Sequence, residues 1–209
     1  MTSLESRIND LRVSRETAER LEIYCRLFNK WSSSINLTSA SSVQDFWDRH
    51  VRDSIQIYRL RSDPIQWVDF GSGAGFPGLV TAICLTELNE GWVHLIESNN
   101  KKAAFLRTVI GETGARASVS SERIEAVTSV LTGIQAISAR ALADLNQLLE
   151  YSYPVMKDST VRAYFHKGRD YQTEINNARM RWRFDLVQHQ SIVEQDSVVL
   201  EIHNLALNS

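Results

Sequence analysis

The run Trp67-Val-Asp-Phe-Gly-Ser-Gly-Ala-Gly-Phe-Pro-Gly-Leu-Val-Thr-Ala-Ile-Cys-Leu85 restricts the fold more than any other part of the chain. A short apolar stretch ends in glycines at alternate positions, Gly71, Gly73 and Gly75, and a second apolar stretch follows at once. The pattern reads as a buried strand, a glycine-rich turn and an amphipathic helix. Without a Cβ, these glycines can take positive φ and let a ligand come close to the backbone. Pro77 falls in the first helical turn, where proline is tolerated, so the free N–H groups of the helix start face the loop.

Two classes of nucleotide cofactor use such a loop. A dinucleotide loop has the form G-x-G-x-x-G or A, its third small residue packing helix against strand. Counted from Gly71, that position holds the bulky Phe76, although Gly73-Ala-Gly75-Phe-Pro-Gly78 satisfies the pattern one turn later and keeps a nicotinamide cofactor open. The favoured form is G-x-G-x-G with Asp69 just upstream and an acid closing the next strand, as in enzymes that use S-adenosylmethionine (SAM). Glu97, at the end of Trp92-Val-His-Leu-Ile-Glu97, has two acceptor oxygens for the hydroxyls of a ribose.

The chain has 209 residues, 43% hydrophobic and 23% charged, enough for one globular domain with a sizeable core. No apolar run approaches the roughly 18 residues of a membrane span, and the polar N-terminus is no signal peptide, so a cytoplasmic protein is expected. Cys25 and Cys84 each sit in a helical apolar pattern without metal-ligand spacing and read as reduced core residues, with no metal expected. A net charge of −2 does not by itself suggest nucleic acid. The cations nevertheless form four groups: Arg49, His50 and Arg52; Lys101, Lys102 and Arg107; His166, Lys167 and Arg169; Arg179, Arg181 and Arg183. Only a fold that brings several of them to one side would make a phosphate-binding surface.

Along the chain, Leu4, Ile8 and Leu11 predict a first helix, and Ser14 an N-cap for a second that buries Ala18, Leu21, Cys25 and Phe28. After a polar break from Trp31 to Thr38, the most regular helical pattern runs through Val43, Phe46, Trp47, His50, Val51, Ser54, Ile55 and Tyr58. Residues 1–62 thus read as a helical cap, and Pro64 marks the start of a second part, 63–209, in which helix and strand signals alternate. The spacing predicts strands at 92–97, 116–120, 135–139 and 161–166. It predicts helices at 99–113, from Glu122, at 142–153, and from Gly168 to about Trp182. Two last strands, 184–193 and 197–204, are split by Glu194-Gln-Asp196. The fold class is α/β: a doubly wound, Rossmann-like sheet, mostly parallel, with a C-terminal antiparallel hairpin and an N-terminal helical cap.

Reacting groups in such folds sit at the carboxyl ends of the strands, beside the switch point. The fourth strand ends Ile137-Ser-Ala-Arg140-Ala, with neither the Asp/Asn-Pro-Pro-Tyr that holds an exocyclic amine nor a cysteine for attack on a pyrimidine carbon. Asp144 lies too far into the next helix to serve readily as a base. What remains is a nucleophile that needs no base. Guanine N7 has a free lone pair and no proton, so attack on a sulfonium methyl can run on proximity and alignment.

Several motifs together resemble the RsmG (GidB) family of 16S ribosomal RNA guanine-N7 methyltransferases acting in the 530 loop. They are Asn36-Leu-Thr38, Arg49-His50-x-x-Asp53-Ser54, Asp69-x-Gly-Ser-Gly-Ala-Gly-Phe-Pro-Gly78, Lys101-Lys102-x-x-Phe105-Leu106, Arg123-Ile124-Glu125, Ala139-Arg140-Ala-x-Ala-x-Leu145 and Lys167-Gly168. The resemblance spans nearly the whole chain. It implies SAM as cofactor, with Asp69, Gly71, Gly73, Gly75 and Phe76 at its methionine and ribose end, Glu97 on the ribose, and Ile124 and Glu125 at the adenine. It makes Arg140 the catalytic residue beside cofactor and target base, and pairs His50 with Asp53 in support. His50, Lys102 and Lys167 become candidate RNA contacts, and the partner is 16S rRNA in the small ribosomal subunit, met by a monomer. Glu97 stands where the family often has Asp. A small-molecule methyltransferase and a non-catalytic, RNA-binding assembly protein are the competing readings.

Overall fold

The computed structural model describes residues 3–38, 45–63, 65–157 and 160–208. Val43 and Pro64, used above for a helix and a boundary, lie outside the described residues. Two N-terminal helices, α1 (Ser3–Leu11) and α2 (Arg15–Ser32), are joined at Ser14, whose side chain accepts from Thr17 N as the N-cap. The predicted polar break begins later than expected, because Trp31 and Ser32 still belong to α2. The segment expected to be the most regular helix is not regular. Phe46–Val51 is π-helical, and only Arg52–Leu60 (α3) is α-helical. A π-turn adds a residue per turn, which apolar spacing at i, i+3 and i+4 does not register, and such turns gather at functional sites.

The strands are β1 (Gln66–Phe70), β2 (Trp92–Ile96), β3 (Ala117–Ser120), β4 (Ala136–Arg140), β5 (Arg162–Lys167), β6 (Trp182–Gln190) and β7 (Val198–Leu207). Between them lie α4 (Gly78–Leu88), α5 (Asn100–Thr113), α6 (Ile124–Thr128), α7 (Leu145–Met156) and α8 (Tyr171–Ala178). The sheet order is β3-β2-β1-β4-β5-β7-β6; β1 to β5 run parallel, and β7 is antiparallel to both neighbours. The chain leaves β1 for β2 on one side and later returns to β4 on the other, which puts the switch point at the carboxyl ends of β1 and β4. Caps match the local sequence: Asn99 accepts from the N–H groups of Lys101 and Lys102 to start α5, and Gly114, at φ +65°, ends it.

Two more expectations need correction. The helix after the glycine turn is not amphipathic: every residue from Gly78 to Leu85 is buried. Its outer side packs on α2 and α3, so only its last turn, with Glu87 and Leu88 exposed, meets water. The helix expected to reach Trp182 stops at Ala178, and Trp182 opens β6, its indole N–H donating to Asn146 Oδ1 at 2.8 Å. On one face of the sheet Trp67, Leu95 and Tyr164 share a core with Leu79 and Ile83 of α4, Tyr24 and Phe28 of α2, and Phe46. The other face packs Val68, Phe70 and Phe165 on Leu148 and Leu149 of α7 and Ile175 of α8. The N-terminal helices are thus part of the first core.

Candidate functional site

A cleft of about 740 Å³ opens over the carboxyl ends of β1, β2, β4 and β5. Its floor is the glycine loop. Gly73 N donates to Glu97 Oε2 at 2.8 Å, and Asn99 N donates to Glu97 Oε1 at 2.7 Å, so both oxygens of this buried carboxylate are held by backbone while the group still faces the cleft. Gly71, Gly73, Phe76, Glu97, Ile124 and Glu125 all line the cleft, together with Lys102, Tyr151 and Arg123. Asp69 and Gly75, grouped with them in sequence, do not. Asp69 is fully buried beneath the loop, where its Oδ1 accepts from Ser138 at 2.6 Å. Burial pushes its carboxyl up to about 6, against the pull of that hydrogen bond. Gly75, at φ +103°, is glycine for a packing reason as well: a Cβ there would lie 2.6 Å from both Leu79 Cδ1 and the Tyr24 hydroxyl. Tyr24 donates that hydroxyl to Ala74 O, so α2 supports the loop from behind.

At the far wall, β4 delivers Arg140 into a polar network. One guanidinium nitrogen donates to His50 Nδ1, and Nη1 lies 3.6 Å from Asp53 Oδ2. His50 comes from the π-turn and Asp53 from α3. Asp53 also accepts from Ser191 in the β6–β7 loop at 3.2 Å, and His166 Nε2 of β5 lies 3.5 Å from it. Burial lowers the His50 pKa to about 4, with the Arg140 and Arg49 charges acting in the same direction. The imidazole is neutral near pH 7, and because Nδ1 accepts, its proton sits on Nε2. Burial tends to raise the Asp53 carboxyl, but His166, Arg140 and Ser191 outweigh it and hold it below the ordinary carboxylate range. Burial also lowers Arg140, against the attraction of Asp53, yet a guanidinium stays charged. The Phe76 ring lies beneath this group, 4.8 Å from the His50 ring and 5.7 Å from Arg140 Cζ.

Lys167 is not the surface cation expected for phosphate contact. It is 8% exposed, and its ammonium donates to Ala143 O at 2.7 Å and pairs with Glu174 at 2.5 Å. Ser191, Glu174 and Gln56 were not visible as site residues in sequence. Gln56 donates to Gln190 O and accepts from Ile192 N, tying α3 to the loop that carries Ser191. Ser191 and Gln56 meet partners distant along the chain, and Glu174, although near Lys167 in sequence, bears no local pattern.

Three of the basic groups reach this end of the sheet, where Lys167, Val198 and Gln190 lie in register. Arg49, Lys102, His50, His166 and Lys167 all border the cleft, although Arg49 is paired with Glu194. The fourth group flanks Trp182 at the opposite end of β6, where Arg181 lies over the Trp182 ring and pairs with Glu150. Among the described residues no cluster of three or more His, Cys, Asp and Glu side chains could hold a metal, and no helix is long and apolar enough to cross a membrane.

The family model described as rRNA small subunit methyltransferase G matches residues 17–202. A ribosomal RNA small subunit methyltransferase G of Sinorhizobium fredii is 59% identical over 202 residues, covering 96% of this chain and 94% of that protein. One from Rhizobium meliloti is 58% identical over 206 residues, covering 98% and 97%. Among solved structures, an SAH-bound methyltransferase of Podospora anserina superposes with a TM-score of 0.60 at 13% identity, covering 90% of this chain and 95% of that one. A ribosomal protein L11 methylase of Lactobacillus delbrueckii gives 0.57 at 15%, covering 78% and 79%.

Proposed function

Because the chain belongs to the rRNA small subunit methyltransferase G family, we propose that it transfers a methyl group from SAM to N7 of a guanine in the 530 loop of 16S rRNA. The residues suit the cofactor. The Glu97 oxygens, each fixed by one backbone N–H, keep lone pairs for a pair of hydroxyls. Ile124 offers an apolar wall to an adenine, with Glu125 beside it. A cleft of about 740 Å³ is of the size that takes a small-molecule cofactor with a further group beside it. When bound, SAM supplies a methyl activated by a sulfonium.

One observation carries the reaction class: both groups that meet the Arg140 guanidinium, His50 and Asp53, are already engaged. His50 Nδ1 is occupied by Arg140 and its other nitrogen carries the proton, while Asp53 is shared among Arg140, Ser191 and His166. Neither is free to take a proton from a nucleophile, and N7 of guanine has none to give. Arg140, Phe76 and the neutral His50 can hold and orient a base taken out of its stack. A monomer acting in the cytoplasm, with Arg49, Lys102 and Arg123 at the cleft mouth meeting RNA phosphate, belongs to the same proposal. The direct test uses 16S RNA transcribed with 7-deazaguanosine triphosphate in place of GTP, in which N7 is replaced by a C–H group. Labelled SAM should methylate the ordinary transcript and leave the deaza transcript unlabelled; equal labelling of both would refute N7.

A further inference from the structure

The loop after Arg140 is held in a conformation that its own residues disfavour. Ala141 has φ +52°, in the left-handed region that residues with a Cβ rarely occupy. Two side chains from elsewhere hold the segment. Lys167 Nζ donates to Ala143 O at 2.7 Å, and Glu174 Oε2, 2.5 Å from that ammonium, accepts from Leu145 N at 2.6 Å, at the first turn of α7. The outcome is where Leu142 lies. A Cβ built on Gly71 would come within 2.5 Å of Leu142 Cδ1, so this side chain roofs the first glycine of the loop, and Ala141, Leu142 and Ala143 all face the cleft. Leu142 is 36% exposed, so core packing does not fix it. Its position depends on the backbone that Lys167 and Glu174 hold.

We propose that Lys167 and Glu174 form a positioning pair that fixes the 141–144 loop and, through Leu142, sets the wall of the cofactor site above Gly71. The proposal rests on the reading of that cleft as the SAM site. Neither member is a catalytic residue. Removing the Glu174 carboxylate leaves a buried ammonium with only a carbonyl to face, and it frees Leu145 N. The loop then relaxes away from the left-handed Ala141 geometry and the roof over Gly71 is lost.

The test is calorimetric SAM affinity and steady-state kinetics on the full chain, for the parent, Glu174→Ala, Glu174→Gln, Leu142→Ala and the double variant Glu174→Ala/Leu142→Ala. Glu174→Ala and Leu142→Ala should each weaken SAM binding about tenfold, raising KM for SAM far more than they lower kcat. Because both act on one wall, the double variant should bind no more weakly than the poorer single variant. Glu174→Gln keeps an acceptor for Leu145 N and should recover part of the affinity. Unchanged SAM affinity in a folded Glu174→Ala protein, or fully additive losses in the double variant, would overturn the proposal. Should Glu174→Ala fail to fold, Glu174→Gln decides: weakened SAM binding supports the pair and parental binding overturns it. A parent protein that bound no SAM would refute the cofactor reading itself, and the inference with it; a parent that binds while the variants match it refutes the pair alone.

Discussion

Arg140 and His50 depend on each other. The arginine stays buried because His50 Nδ1 and Asp53 receive it, and His50 stays neutral because burial and the Arg140 charge oppose protonation. Arg140→Ala should abolish methyl transfer in single-turnover assays while SAM affinity changes little, since Glu97 and the glycine loop hold the other end of the cleft. Transfer that persisted would remove Arg140 from the reaction. The His50 shift also predicts a pH dependence. With its folded pKa lowered to about 4, the folded protein takes up this proton less readily than the unfolded chain. Stability from a neutral His50 is therefore complete above about pH 6.5 and falls as pH drops from there through 4, by on the order of 3 kcal/mol. Asp69, raised to about 6, tilts the same window the opposite way, so the comparison must be between parent and His50→Gln. Urea unfolding from pH 7 to 4 should show the parent losing stability relative to His50→Gln; a constant difference would contradict the shift. The sequence showed His50 and Asp53 one turn apart and Arg140 at a strand end. It could not show that they meet, nor that Ser191 completes the set, because those contacts span the fold.

At the scale of the element, the strand, glycine turn and helix were legible in outline, and what was missed follows from packing. The α4 helix reads as half-exposed until α2 and α3 cover it, and the π-turn at Phe46–Val51 leaves no trace in apolar spacing. The end of α8 was set too late because Ile175, Ala178 and Trp182 keep helical spacing across the chain's passage into β6. The joint between β1 and α4 is tight enough to test. A Cβ at Gly78 would press on Leu95 Cδ2 and come within 2.6 Å of Asp69 Oδ2 and 2.8 Å of Asp69 Cβ. Gly78 does not need positive φ, so Gly78→Ala measures overpacking and not backbone strain. It should cost about 1–3 kcal/mol in urea unfolding and weaken SAM binding by displacing the loop; parental stability would show that the joint yields.

For the whole molecule, the alternation of strands and helices disclosed the sheet, its switch point and its terminal hairpin. The resemblance to a family disclosed which end of it matters. Only the fold sorts the four basic groups, gathering three at the cleft and leaving Arg179, Arg181 and Arg183 at the far end of β6. It also shows that Lys167, placed by sequence among the RNA contacts, is spent inside the protein on Ala143 and Glu174. On this reading the cleft moves a methyl group to guanine N7 without a general base. The most direct measurement incubates the protein and labelled SAM with 30S subunits, and with naked 16S RNA, from cells lacking the native activity, then identifies the labelled nucleoside by mass spectrometry. Label recovered as 7-methylguanosine from the 530 loop is the expected result. Label on another atom or another loop, or none despite measurable SAM binding, would contradict the account.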